Sequence, residues 1–317
     1  MSQPIGTLLS LAESLRNRYG RKLRRVMLDL GLSCPNRDGA KGFGGCVYCD
    51  VHGSGTGAQA EGQSLAEQWQ RGLAKARRLQ PEGPAAIAYL QSYSNTYPGL
   101  EPLKAALEFL AEQSQEAPIL AIGTRPDCFS PEAADLLAAY RNRFDQVWLE
   151  LGLETADDRV QALIGRHDSL EHFHRACHLA RQRDLAVIAH TMTGLPGEKP
   201  DGLLRQVQEA AAAGVAGIKF HQLMVLRRTQ LEAVWRRNGV ALLTPEEYVE
   251  RVADALEYLP ADVVVHRLVA EAPEESYLAP QGWPHKNKVI HWIRQEMIRR
   301  QGWQGKRAVQ LSPTRPF

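Results

Sequence analysis

The stretch VMLDLGLSCPNRDGAKGFGGCVYCD, residues 26–50, joins a short apolar run to a glycine-rich segment holding three of the five cysteines of the chain. Val26–Leu30 reads as a strand by its β-branched and aliphatic content. Cys46 and Cys49 form a CxxC pair, and eleven residues separate Cys34 from Cys46. Three thiols on one loop directly after a strand can converge on a single soft metal centre. The glycines let the backbone wrap close to such a centre and aim amides at its sulfurs.

Working outward, short β-branched runs alternate with longer segments of helical period. Strands are expected at Ala86–Gln91, Ile119–Gly123, Val147–Gly152, Ala186–Thr193 and Gly217–Val225, with a further run at Val263–Val269. Helices are expected at Leu65–Leu79, Leu103–Gln113, Pro131–Arg141, Leu170–Arg183, Leu203–Ala213 and Pro245–Leu259. Ser130-Pro131 offers a capping hydroxyl and a first-turn proline, and Thr244-Pro245-Glu246-Glu247 reads as a capping box. Six βα units imply right-handed crossovers and a parallel sheet covered by helices. No G-x-G-x-x-G follows the first strand, which disfavours a dinucleotide-binding open sheet. The expected fold class is α/β, an open doubly wound sheet or a barrel, and in a barrel functional groups gather at the carboxyl ends of the strands. The expected division is an N-terminal helix and basic segment over 1–25, the barrel over 26–260, and a C-terminal extension over 261–317.

The chain has 317 residues, 44% hydrophobic and 23% charged, which suits an ordinary globular protein and excludes disorder, collagen and a disulfide scaffold. No apolar run approaches the ~20 residues that span a bilayer, and no membrane partner is expected. The N-terminus lacks the basic-then-apolar order of a secretory signal. The expected location is cytoplasmic, where cysteines serve as thiols or ligands. A net charge of +2 is too small to argue for nucleic acid by itself.

Spacing alone leaves several readings of the cysteines open. A 4Fe–4S cube held by three thiolates leaves one iron open to a substrate or cofactor. A structural Cys3His zinc site, completed by His52 in the CxxCxxH arrangement, is a second reading and would suit a non-enzymatic nucleic-acid-binding protein. A CxxC redox pair is a third, but gives Cys34 no role. Cys128 and Cys177 read as core thiols.

The three-cysteine loop after strand one, with its βα units, resembles the radical S-adenosylmethionine (SAM) superfamily. Cys34-Pro35-Asn36-Arg37-Asp38-Gly39 through Gly44-Gly45-Cys46-Val47-Tyr48-Cys49 is similar to the YhcC/YtqA family, whose core is like that of the Elongator catalytic subunit. Other matching stretches are Gly123-Thr124-Arg125-Pro126-Asp127-Cys128, Glu150-Leu151-Gly152-Leu153-Glu154-Thr155, Arg166-His167, His190, Gly194-Leu195-Pro196-Gly197-Glu198, His266-Arg267 and Ala272-Pro273. The resemblance implies a partial (β/α)6 barrel and a 4Fe–4S cluster on Cys34, Cys46 and Cys49, with SAM chelated at the open iron. It implies reductive SAM cleavage, a deoxyadenosyl radical that takes hydrogen from substrate, and an external electron donor such as flavodoxin or ferredoxin. A closed barrel mouth suits so reactive a species.

The same resemblance implies roles at the rim. Tyr48 stands where the superfamily places an aromatic against adenine, or is plain core packing. Gln91, Asn95 and Thr96 offer polar groups for the methionyl ammonium in place of the usual Gly-Gly-Glu. Asn95 and Thr96 equally suit a turn before Pro98-Gly99. Thr124 and Asp127 end strand three. Glu150 and Glu154 stand where ribose hydroxyls are commonly held. A bare carboxylate at Glu150, after apolar Val147-Trp148-Leu149, is costly without a function, whereas Glu154 also suits a plain loop. Gly194 permits close approach of backbone to adenosine, and Met224 and Val225 offer main-chain groups to adenine. His190 is the catalytic candidate for substrate contact or proton transfer, or else a hydrogen-bonded core histidine. His221 reads as structural.

Two departures stand out. Arg227-Arg228-Thr229 replaces the family's Lys/Arg-Gly-Thr, and Met224 takes a position where histidine is common. The implied substrate is tRNA, with the carboxymethylaminomethyl group of wobble uridine remodelled to aminomethyl; a small metabolite or a protein is the alternative. Basic residues at Arg16, Arg18, Arg21, Lys22, Arg24 and Arg25, and again at Lys286, Lys288, Arg294, Arg299 and Arg300, permit an RNA partner, although a solvated face is their default. His174 and His178 have metal-ligand spacing on a helix that otherwise reads as solvated.

Overall fold

The computed structural model describes residues 4–53 and 55–308. Its centre is a seven-stranded sheet ordered β1-β2-β3-β4-β5-β6-β8. These strands are β1 (Arg24–Leu28), β2 (Ala86–Leu90), β3 (Ile119–Thr124), β4 (Gln146–Glu154), β5 (Ala186–Thr193), β6 (Gly217–Gln222) and β8 (Val264–Arg267). Every pairing is parallel, with Leu28 opposite Leu90, Thr124 opposite Leu151, His190 opposite Lys219 and Lys219 opposite Arg267. A small antiparallel pair, β7 (Val225–Leu226) with β9 (Tyr277–Ala279), stands apart.

The helices are α1 (Leu11–Tyr19), α2 (Leu65–Arg77), α3 (Glu101–Ala111), α4 (Pro131–Ala139), α5 (Asp158–Leu163), α6 (Leu170–Arg181), α7 (Gly202–Ala212), α8 (Gln230–Arg236), α9 (Pro245–Tyr258) and α10 (Lys286–Arg299). The capping box expected at α9 is present, with Thr244 and Glu247 capping each other, and Ser64 with Glu67 forms another at α2. Ser130 accepts from the Ala133 amide at α4. Each cap is worth about 1 kcal/mol.

Strands β2 and β3 are buried throughout, because helices cover one sheet face and the barrel lumen lies against the other. Leu28, Leu90, Ile122, Leu149 and Phe220 pack outward among the helices. The inner face carries a second cluster, Ile87, Ile119, Trp148, Ile188 and Val264, closed by Leu11 and Leu15 of α1 and by Leu23. Helix α1 thus plugs the amino-terminal end of the strands, and the Leu9 carbonyl accepts from the Val265 amide. Fully burying each such aliphatic side chain stabilises the fold by about 1.5–3 kcal/mol. The carboxyl ends remain as the mouth.

The structure differs from the sequence-based expectation in three places. The first strand ends at Leu28 instead of Leu30, because the Gln68 side chain takes over: it accepts from the Asp29 amide at 2.8 Å and donates to the Asp29 carbonyl at 2.9 Å. The sixth strand ends at Gln222 instead of Val225; Gln222 pairs its amide with the Ala270 backbone, and Val225 turns away to β9. The run near Val263–Val269 supplies a seventh parallel strand, β8, so part of the segment expected as an extension completes the sheet. Of the proposed end segments, residues 1–3 and 309–317 lie outside the described residues. Among the described residues, no helix is long and apolar enough to cross a membrane.

Candidate active site at the barrel mouth

The cysteine loop leaves the carboxyl end of β1. Its course depends on left-handed glycines: Gly44 and Gly45 have φ of +78° and +89°, and a Cβ on Gly45 would stand 3.1 Å from the Arg37 guanidinium. That guanidinium donates to Cys49 Sγ at 3.3 Å, and the Asn36 amide lies 3.4 Å from Cys46 Sγ. Asn36 is itself fixed by donating to the Gly165 and Arg166 carbonyls. Burial pushes the Cys49 thiol up to about 12 and raises Cys34 as well. Such thiols need compensating positive charge to ionise.

Three thiols on one loop, two of them receiving N–H donors, are the donor set that an iron–sulfur cube takes. Among the described residues, no three His, Cys, Asp or Glu side chains are gathered for a single ion. A cube places each thiolate on its own iron, and its anchors stand farther apart than the ligands of one zinc. The residues present fit a cluster in donor type and in the N–H groups directed at two of their sulfurs.

Around this loop the structure gathers part of the expected rim. Tyr48 is half-buried against the Ile164, Leu223 and Leu231 cluster. Burial, then the charge of Glu154, raises its hydroxyl well above the usual tyrosine range. Glu154 ends β4 with φ +61°, and burial raises its carboxyl. Arg166 lies beside both; burial opposes its charge, and Tyr48 and Glu154 outweigh that. Gln91 follows β2 at the mouth, its amide donating to the Leu28 carbonyl.

Other expected contacts are spent on the scaffold. Asn95 is fully buried, and its side-chain amide donates to the Leu90, Ser92 and Gly123 carbonyls, tying β2 to β3. Thr96 and Thr124 join hydroxyls at 2.6 Å, and Thr96 also bonds the Cys128 carbonyl. Asp127 is held by Arg125 through two contacts of 2.8 Å and by Lys41 at 2.6 Å. Val225 is buried in the β7–β9 ladder, while Met224 beside it is half-buried. Gly194 does adopt the left-handed conformation, at φ +90°, but its amide is taken by Glu198 at 2.6 Å.

Glu150 is the most tightly held of the expected residues. Strand β4 runs past the expected end to Glu154, four residues beyond Glu150. There its Oε2 accepts from His190 Nε2 at 2.8 Å and forms an ion pair with the Lys219 ammonium. Burial opposes ionisation, yet Lys219 and then His190 hold the Glu150 carboxyl well below the usual range. Burial, and then the Lys219 charge, pushes His190 down to about 4. A neutral His190 donates through Nε2 to this carboxylate, which leaves Nδ1 as an acceptor. Its side chain keeps 19% exposure, so the ring borders the lumen.

Sequence reasoning missed the rest of this interior group. Lys219 is fully buried, 3.2 Å from the Tyr89 hydroxyl and 4.7 Å above its ring. Arg25 Nη2 stands 3.3 Å from His266 Nδ1, and Arg267 Nη1 stands 3.3 Å from His221 Nε2. The signal for Lys219 was the one read at Glu150, a lone charge within an apolar strand. Arg25 was masked by its basic neighbours. His174 and His178 separate to Glu209 and Gln182, so they share no metal.

Comparison with known proteins agrees with this geometry. A model described as the radical SAM superfamily matches residues 34–210, and one described as the radical SAM C-terminal domain matches residues 215–299. The YhcC protein of Escherichia coli is 36% identical over 269 residues, covering 84% of each chain. The YtqA protein of Bacillus subtilis is 32% identical over 292 residues, covering 92% of this chain and 90% of that one. The tRNA uridine(34) acetyltransferase of Dehalococcoides mccartyi is 29% identical over 158 residues, 49% of this chain and 33% of that one. Among solved structures, the archaeal Methanocaldococcus infernus Elp3 superposes with a TM-score of 0.69 at 16% identity, covering 89% of this chain and 64% of that one, a likeness of fold. With more than half its length matched and the cysteine loop at the mouth of a parallel half-barrel, the chain is an enzyme of the radical SAM superfamily.

Proposed function

We propose that this enzyme acts on the wobble uridine of tRNA, at the carboxymethylaminomethyl side chain, and yields the aminomethyl form. The observation that carries the chemistry is the three-cysteine loop at the end of β1, with Asn36 and Arg37 donating toward two of its sulfurs. Cys34, Cys46 and Cys49 would hold a 4Fe–4S cluster. When bound, the cluster and SAM would supply a deoxyadenosyl radical that takes a hydrogen atom from the carboxymethyl carbon, given an electron from an external donor; the substrate would then return one electron to the oxidised donor protein, and water would release the carboxymethyl group as glyoxylate.

The residues of the chain do the positioning. Tyr48, Gln91, Glu154 and the backbone near Gly194 and Met224 would border the space beside the loop and hold SAM. His190, fixed by Glu150, offers Nδ1 to a proton on the substrate amine. The uridine assignment is supported by partial identity with an enzyme named for tRNA uridine 34 and by the exposed basic residues Arg16, Arg18, Lys22 and Arg24.

Two measurements test it. Protein reconstituted anaerobically with iron should form 5′-deoxyadenosine from SAM and dithionite; a colourless protein making none ends the radical reading. Nucleosides from a deletion strain should accumulate the carboxymethylaminomethyl form, and an unchanged profile removes tRNA.

A further inference from the structure

The lumen below the mouth holds more positive charge than its own residues neutralise. Three cations face it, Arg25 on β1, Lys219 on β6 and Arg267 on β8. Glu150 answers them with one oxygen, shared by Lys219 and His190, and Glu271 acts on Arg267 from beyond ion-pair distance. Among the described residues, neither Arg25 nor Arg267 has a carboxylate within ion-pair distance. The histidines around them do not supply one: burial holds His190, His221 and His266 below their ordinary range, hence neutral.

The guanidiniums are nevertheless aimed. Each stands 3.3 Å from an imidazole nitrogen, Arg25 from His266 and Arg267 from His221. A neutral ring fixes a guanidinium's orientation and leaves its charge in place. Arg25 Nε is buried and has no hydrogen-bond partner. Both arginines keep partial exposure. Like charges turned toward one half-buried space are costly unless something anionic answers them.

We infer that Arg25 and Arg267 form a receptor for a carboxylate on the substrate, below the mouth where the reacting carbon is presented. The planar fork of a guanidinium matches a carboxylate in two parallel hydrogen bonds. This deepens the reading above and rests on it: the carboxymethyl arm carries such a group, and its aminomethyl product does not. The receptor would then discriminate substrate from product by charge.

The test uses full-length, reconstituted protein saturated with SAM. It is titrated calorimetrically with the free base 5-carboxymethylaminomethyluracil, with 5-aminomethyluracil and with inorganic phosphate. Wild type should favour the carboxylate base over the amine by about tenfold or more. Arg25→Gln and Arg267→Gln should each remove most of that preference with SAM affinity unchanged, and Arg267→Lys should keep part of it. Equal affinity for the two bases in wild type, preference surviving in both glutamine variants, Arg-dependent phosphate binding as tight as the carboxylate's, or loss of SAM binding in place of base binding each overturns the inference. Thermal melting of the variants checks their folding, and Arg267→Lys preserves the charge if glutamine does not fold. Turnover of modified tRNA without any carboxylate preference would sink the receptor alone. Arg-dependent preference without turnover of tRNA would sink the tRNA reading alone.

Discussion

The Glu150 carboxylate on β4 and the Lys219 ammonium on β6 meet across the intervening strand β5, with side chains 0% and 1% exposed. His190 on β5 shares the same carboxylate oxygen. Removing one partner leaves the other charge stranded in low dielectric. Glu150→Gln should destabilise the protein by about 3–5 kcal/mol in urea unfolding. The double variant Glu150→Gln/Lys219→Met should recover most of that loss, because no bare charge remains. Additive losses in the double variant would show that the two groups do not depend on each other.

The pH dependence of stability follows from His190. Its folded value of about 4 lies below the unfolded value of about 6.5. Between those limits the unfolded chain binds more protons, so stability is full above about pH 6.5 and falls as pH drops toward 4. Glu150, held low, acts with the same sign below about pH 4.5. His190→Gln should flatten the pH 4–6.5 segment of a melting-temperature profile, by on the order of 3 kcal/mol at most. His221 and His266 share the direction, so part of the slope should persist. A variant profile as steep as wild type would contradict the burial of a neutral ring.

Iron content reads the cysteine loop directly. Alanine at Cys34, Cys46 or Cys49 should each cut reconstituted iron and the broad absorbance near 400 nm to background, while His52→Ala leaves both intact. Gly45→Ala should act like a partial cysteine loss, since φ +89° disfavours any Cβ and the added methyl meets Arg37. Full loading of the Gly45 variant would show that the loop tolerates another path.

Arg228 holds φ +62°, where the family pattern has glycine. The residue is exposed, and its amide donates to Glu232 at 2.7 Å. Arg228→Gly should therefore raise stability by about 0.5–1 kcal/mol through relief of backbone strain. A lower melting temperature would mean that the arginine side chain contributes a contact that outweighs the strain.

Legibility in the sequence followed the range of the interactions. The parallel sheet was readable because β2 to β5 are short, branched and bounded by turn residues, all of it local. The cysteine loop was readable because its donors fall within one stretch. What escaped depended on partners far along the chain. The Gln68 side chain shortens β1, and Ala270 captures Gln222 to end β6. Strand β8 was readable as the run Val263–Val269, but its place as the seventh strand comes from pairing with β6. At the site, Asn95 and Asp127 have the chemistry of cofactor ligands, but three backbone carbonyls and two cationic side chains claim them first. Lys219 was visible as an isolated charge in Gly217-Ile218-Lys219-Phe220, and its importance appears once Glu150 stands opposite it.

Strands β1 and β8 are the two ends of an arc that never closes, with no ladder between them. Arg25 sits on one end and Arg267 on the other, and Arg25 already reaches the His266 ring across the seam. Among the described residues no main-chain bond joins β1 directly to β8, and the Leu9–Ser10 segment lies against Val265 at that margin. An anion gripped from both sides would act as a clasp across the open margin.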